Sequence, residues 1–174
     1  MNYRIVLCGG NGAGKSTLGK ELAKRLNIRF MDIEHYYFPS SNTDYAYGCS
    51  RTQEEVTALL LEDMKHTDDF VLAAVKADYS PEISRMFTHA VYIDVPKEER
   101  MKRIRQRSFQ KFGERMQPGG DLFEREQRFF DLVQNRTDEP ILKWIDSMEI
   151  PMIRIDGLRS VEENLEQVVH CLTK

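Results

Sequence analysis

An α/β fold built on one parallel sheet covered on both faces is what this sequence predicts, on three observations. Short apolar runs alternate with amphipathic helical stretches along the chain. Two of the runs, 70–75 and 90–95, are apolar without alternation, as strands buried on both faces are. No repeat, low-complexity tract or linker divides the 174 residues, so 1–174 reads as one domain, long enough to bury a sizeable core.

Residues 3–8 form the first strand, and a glycine-rich turn follows. A helix starts near Lys15, with Leu18, Leu22 and Leu26 at fourfold spacing, and residues 28–31 make a short second strand. Thr52 and Glu55 have the spacing of a capping box, ahead of Val56, Leu59, Leu60 and Met64. The runs 70–75 and 90–95 are the third and fourth strands, and Pro96 suits the first turn of the helix after them. Residues 150–155 are the last strand. A closing helix opens at Ser160 and buries Val161, Leu165, Val168, Val169 and Leu172. Two irregular segments, 35–50 and 110–120, break the alternation, and stretches of this length in a compact domain serve as binding loops or lids.

A net charge of −3 gives no general pull toward nucleic acid or an anionic membrane, so neither is expected as a partner. No apolar stretch approaches the roughly 18 residues of a membrane span. Cys8, Cys49 and Cys171 are too scattered for a disulfide framework, and Cys8 and Cys171 are expected as small core residues. The opening apolar run is too brief for a signal peptide, so a reduced cytoplasm is the expected setting, for a monomer or a homodimer.

The strongest signal follows the first strand. Gly9-Gly10-Asn11-Gly12-Ala13-Gly14-Lys15-Ser16-Thr17 fits G-x-x-x-x-G-K-[ST]. A phosphate chain needs donors from many sides, and glycines let successive backbone N–H groups turn inward as an anion nest. The following helix adds its free N–H groups and positive dipole end. Residues 9–17 are thus the expected nucleotide-binding set: Lys15 would reach the β- and γ-phosphates of ATP, and the Ser16 hydroxyl would hold Mg²⁺.

Other P-loop classes lack support. The chain has no Asn-Lys-x-Asp guanine reader, no Asp-x-x-Gly switch after the cradle and no Leu-Ser-Gly-Gly-Gln signature, and it is too short for the lid domain of an AAA+ motor. Asp32 and Glu34 follow the second strand, at the crevice where neighbouring strand ends open. Either carboxylate can take a proton from an attacking hydroxyl, Asp32 being the first candidate, and Asp32 can also hold the metal with Ser16. Arg100, Arg103 and Arg107 share a helix face, Arg115 lies in the glycine-rich segment, and Arg125, Arg128 and Arg136 share a face of the next helix. Arg107 and Arg115 are the candidates to close over the transferring phosphoryl group, an effect that can be worth about 10³ to 10⁵ in rate. Arg128 is a third, assigned to the substrate. His35, Tyr36, Tyr37 and Phe38, with Tyr45, Tyr47 and Arg51, suit a ring-shaped acceptor; Tyr36 and Arg51 are the expected contacts, Arg51 for an anionic group. The turn 154–160, Arg-Ile-Asp-Gly-Leu-Arg-Ser, is placed to lie against an adenine ring.

The cradle, Asp32-Ile33-Glu34, the arginine-rich segment and Ile155-Asp156-Gly157 before an amphipathic helix together resemble the nucleoside-monophosphate kinase-like P-loop kinases, a group that includes adenylate, shikimate and gluconate kinases. The resemblance covers nearly the whole chain. It implies a three-layer α/β/α P-loop NTPase fold with a five-stranded parallel sheet in the order 2-3-1-4-5. It also implies an acceptor-binding segment at about 34–66 and a small mobile lid at about 107–120. The chain departs from the group in two places. Adenylate-type kinases carry Thr-Gly-Asp where this chain has Asp32-Ile33-Glu34, and a carboxylate pair favours a hydroxyl acceptor, which benefits from a base. Residues 74–79, Ala-Val-Lys-Ala-Asp-Tyr, replace the glycine-rich turn of shikimate and gluconate kinases, and leave Lys76 as a further anion contact. The expectation is an ATP-dependent phosphotransferase acting on a small molecule, with a nucleoside-monophosphate kinase or a nucleotide-sensing ATPase without an acceptor as alternatives.

Overall fold

The structure, a computed structural model, describes residues 2–39 and 50–173. Its strands are β1 (Arg4–Cys8), β2 (Arg29–Asp32), β3 (Phe70–Ala73), β4 (His89–Asp94) and β5 (Met152–Asp156). All pairings are parallel, and the order is β2-β3-β1-β4-β5. This is the expected sheet, with strand ends shifted by one or two residues. The third strand is shorter than its apolar run and ends at Ala73, although Ala74 N still donates to the Leu7 carbonyl at 3.0 Å and the Val75 carbonyl accepts from Gly9 N at 3.4 Å.

Two cores follow from the alternation of side chains along each strand. One face packs Val6, Met31, Leu72 and Tyr92 against α3 (Gln53–Lys65), α4 (Pro81–Met86) and α7 (Glu139–Ser147). The other packs Ile5, Leu7, Val71 and Ile93 against α1 (Lys15–Leu26) and α8 (Val161–Leu172). Capping boxes start α3 at Thr52 and α8 at Ser160, as their spacing predicts. Val161 is exposed and Val169 half-buried; the buried set of α8 is Asn164, Leu165, Val168 and Leu172. Cys8 is buried as expected, but Cys171 is exposed, outside the buried stripe of Leu165, Val168 and Leu172. Cys49 lies outside the described residues.

Helices α4 and α7 have no counterpart in the sequence reading; both are short and start at Pro81 and Glu139-Pro140. The glycine-rich segment is also more ordered than its composition implies. Helix α5 (Lys97–Phe112) continues through residues 107–112, which hold no glycine or proline, and stops at Gly113 with φ 54°. A 3-10 turn, Gly113–Met116, follows, and α6 (Phe123–Asn135) returns across it. Met101, Ile104, Met116, Phe130 and Val133 close a third, smaller core between these pieces. Among the described residues, no helix is long and apolar enough to cross a membrane.

Candidate phosphate-binding site and acceptor cleft

Strand β1 is central in the sheet, so its end delivers residues 9–14 to the middle of the carboxyl edge. Close packing explains two glycines. A Cβ on Gly12, where φ is 81°, would sit 2.6 Å from the Arg100 carbonyl oxygen, and one on Gly10 would fall 1.7 Å from Arg100 Nη1. Arg100 is only 4% exposed, and it ties this loop to the chain behind it. Its Nε donates to the Val95 carbonyl at 3.0 Å, and its Nη2 reaches Asp138 Oδ1 at 3.2 Å. Asp138 also accepts from the Tyr92 hydroxyl at 2.8 Å.

Lys15 begins α1, and its ammonium donates to the Gly9 and Gly10 carbonyls at 3.0 and 2.9 Å. Burial is the main cause that lowers its pKa to about 8; Cys8, Glu34 and Asp32 pull the other way. Ser16 Oγ donates to Asp32 Oδ2 at 2.6 Å. Asp32 is buried at the end of β2, and its other oxygen accepts from Glu34 N at 3.1 Å, which starts the short helix α2 (Ile33–Tyr37). Asp32 therefore caps a helix and faces the cradle at once, one function for each oxygen. The strand does not continue through to Glu34; Glu34 is exposed on the first turn of α2 and near enough to Lys15 to influence its titration. A hydroxyl and a carboxylate converging at hydrogen-bond distance form the hard oxygen set that suits Mg²⁺, which takes one or two protein ligands beside substrate phosphates. Among the described residues there is no cluster of three or more His, Cys, Asp or Glu to hold a metal unaided, and this chemistry requires none.

The arginines separate into two groups. Arg103 donates to the Gly12 carbonyl at 3.5 Å and the Gly157 carbonyl at 3.0 Å, so it joins the cradle to the turn before α8. Arg136, just past α6, donates to Asn11 Oδ1 at 3.0 Å. With Arg100, these side chains touch the cradle, and sequence reasoning had placed them only on helix faces. Their distinguishing signal, contacts across 91 positions of chain for Arg103 and 125 for Arg136, is not local. Arg107 is exposed on α5, away from the cradle's hydrogen bonds. Arg115 is held by Asp121, with Nη2 2.7 Å from Oδ2, in an open cleft of about 560 Å³ shared with Arg125 and Arg128. Arg128 was grouped with Tyr36 and Arg51 as a substrate contact; the structure sets it beside Arg115 instead.

Tyr36 and Arg51 do meet. They line a second cleft, of about 360 Å³, with Arg29, Asp32, Glu62 and Asp63. Arg51 Nη1 donates to the Tyr36 carbonyl at 2.9 Å, and the Tyr36 hydroxyl donates to Asp63 Oδ2 at 2.6 Å. Burial and that carboxylate push the Tyr36 phenol above its usual range. Tyr37 stacks against Tyr79 with ring centroids 6.2 Å apart, and Lys76 pairs with Asp78 at 2.6 Å. Tyr45 and Tyr47 lie outside the described residues.

Comparison with known proteins agrees with this fold. The family described as an AAA domain matches residues 5–117, which run from β1 past the end of α5. The chain is 26% identical to the uncharacterized protein YqaC of Bacillus subtilis over 99% of each. It is 32% identical to a shikimate kinase of Enterococcus faecalis over 107 residues, 58% of this chain and 64% of that enzyme. A gluconokinase from Sinorhizobium meliloti superposes with a TM-score of 0.59 at 14% identity, over 99% of this chain and 92% of that one. The chain belongs to the AAA-domain family, and within it has the P-loop fold of the small-molecule kinases of the nucleoside-monophosphate kinase-like group.

Proposed function

We propose that this protein transfers the γ-phosphoryl group of ATP, with Mg²⁺, to a hydroxyl group of a small molecule. The observation that carries the reading is the Ser16 Oγ–Asp32 Oδ2 hydrogen bond at 2.6 Å, beside the glycine turn whose carbonyls hold the Lys15 ammonium. Residues 9–17 would hold the triphosphate, and the turn at Gly157, joined to the cradle by Arg103, would lie beside the base. Ser16 and Asp32 would hold the metal, whose charge offsets that of the phosphoryl oxygens.

The carboxylates then divide the work. Both oxygens of Asp32 are engaged, so Glu34, with its exposed carboxylate on the next turn, would take the acceptor's proton. The acceptor oxygen forms a bond to the γ-phosphorus as the bond from that phosphorus to the β–γ bridging oxygen breaks. ADP leaves with the bridging oxygen, and the proton rests on Glu34. Arg115, Arg107 and Arg128 would approach from the α5–α6 side to neutralise charge and exclude water. Tyr36 and Arg51 would line the acceptor's side.

The test incubates the protein with ATP, magnesium and candidate alcohols, and follows ADP and phosphorylated product together. Glu34→Gln should lower kcat by roughly 10² to 10⁴ with little change in nucleotide affinity. ADP release indifferent to every acceptor would favour a nucleotide-sensing ATPase instead.

A further inference from the structure

The short helix that carries Glu34 is held from outside itself. We infer that Tyr36 is a positioning residue: its hydroxyl, bonded to Asp63, sets the roll of α2 about its axis and so the direction in which Glu34 faces the transferring group. This rests on the kinase reading above, with Glu34 as the acceptor's base.

Helix α2 has five residues, little more than one turn. A helix that short does not hold its own shape in water, where roughly 12–15 residues are needed for even marginal stability. Ile33 is its only buried residue, at its first position, so packing fixes where the helix starts rather than how it rolls. At the far end Arg51 satisfies the carbonyls that lack an intrahelical partner. Its backbone N donates to the Tyr37 carbonyl at 2.8 Å, and its Nη1 to the Tyr36 carbonyl at 2.9 Å. These contacts lie along the backbone; the Tyr36 side chain is the lever that reaches away from it.

What that lever grips is rigid. The Tyr36 hydroxyl donates to Asp63 Oδ2 at 2.6 Å, the length of a charge-assisted bond. The same oxygen accepts from Arg29 Nη2 at 2.9 Å, Thr67 Oγ1 donates to the Asp63 carbonyl at 2.8 Å, and Arg29 Nη1 donates to Thr67 Oγ1 at 3.2 Å. Asp63 belongs to α3, which has 13 residues, opens on a capping box and buries Val56, Leu60 and Met64. Because burial and this carboxylate raise the phenol's pKa, the hydroxyl stays a donor at neutral pH. Its proton is committed to Asp63, so the ring is what Tyr36 presents to the cleft. Tyr37 is also held, by the Tyr79 side chain. A neutral pair of that kind is about half as strong as a bond to a carboxylate. At about 100° per residue, Tyr36 and Glu34 stand about 200° apart around the axis. The strut therefore braces the helix from behind the base, and a roll that releases one swings the other.

Two measurements test this. The first is a mutant cycle read by ADP and product at saturating Mg·ATP and acceptor. Tyr36→Phe removes one oxygen and keeps the ring; it should lower kcat about 10- to 100-fold while the Kd for ATP stays within about twofold. In a Glu34→Gln background the same change should alter kcat by less than about twofold, because the group it aims is gone. Asp63→Ala should reproduce Tyr36→Phe, whereas Asp63→Asn, whose oxygen still accepts from the phenol, should keep kcat within about threefold of the unmodified protein. Additive losses in the cycle, or a loss confined to the acceptor's KM, overturn the inference and make Tyr36 a substrate contact. The second measurement needs no turnover. Residual dipolar couplings of the amides of 33–38 report the orientation of α2; Tyr36→Phe should change them together while those of 53–65 stay as they are, and Asp63→Asn should leave both sets unchanged. Unaltered couplings at 33–38 in Tyr36→Phe overturn the inference whatever the kinetics. A reoriented α2 in a protein that phosphorylates no acceptor supports the strut and counts against the kinase reading alone.

Discussion

Lys15 brings the physical chemistry of the cradle down to one proton. Its folded pKa of about 8 lies below the ordinary lysine value, so the folded protein binds this proton less tightly than the unfolded chain does. Stability from this group is therefore lowest below pH 8 and rises from there to about pH 10.5, where both states are neutral. A triphosphate reverses the preference, because it favours the charged ammonium. Nucleotide affinity should thus fall as pH rises through 8, and binding at pH 8.5 should take up a fraction of a proton per site; calorimetry in two buffers of different ionisation enthalpy measures it directly. Asp32 divides from Glu34 at the same scale. Asp32→Asn should weaken the magnesium dependence of turnover and loosen the start of α2, whereas Glu34→Gln should act on turnover alone. A titration of rate against magnesium for the two variants separates them. The cradle and both carboxylates were legible in the sequence because each is a local pattern after a strand. The division of labour was not, since it depends on the chain turning into a helix immediately after Asp32.

Elements carry the next set of consequences, above all the joint between α6 and α7. Asp138, 23% exposed at its side chain, is the carboxylate that offsets the buried charge of Arg100. Asp138→Asn leaves that guanidinium without a counter-charge and should cost about 2–3 kcal/mol, less than the 3–5 of a fully buried pair, in urea denaturation. Helix starts are a milder case: Thr52→Ala or Ser160→Ala removes a capping box and should cost about 1 kcal/mol each. Those two helices were readable three residues at a time. The roles of Arg100, Arg103 and Arg136 were not, because helical spacing shows which side chains share a face but not what that face meets. Residue 171 differs for a related reason: the buried stripe of α8 runs through Leu165, Val168 and Leu172 and leaves Cys171 outside it.

At the scale of the molecule, the sheet has its two cores, and α5, the 3-10 turn and α6 pack around a small core of their own. Phe130→Ala, at the centre of that core, should cost about 3–4 kcal/mol locally. Hydrogen exchange should then show protection lost across residues 113–135 while the amides of β1, β3 and β4 keep theirs, and kcat should fall with nucleotide affinity largely retained. The sheet order was legible through the family resemblance, given parallel strands and a cradle on the first of them. The stretch 110–120 is expected as irregular, but its glycines mark the corner between two helices rather than a long loop.

The joint between α6 and α7 has a genetic consequence. Residues 136 and 138 grip the nucleotide loop twice, through Asn11 and through Arg100 against Gly10, although more than a hundred positions separate the grips from the loop in the chain. Substitutions at 136 should accordingly be forgiven or punished according to the side chain at 11, so that Asn11→Ala combined with Arg136→Ala costs less than the two losses added together. Laboratory selection for altered ATP affinity should return changes at this remote joint as readily as in the glycine loop itself.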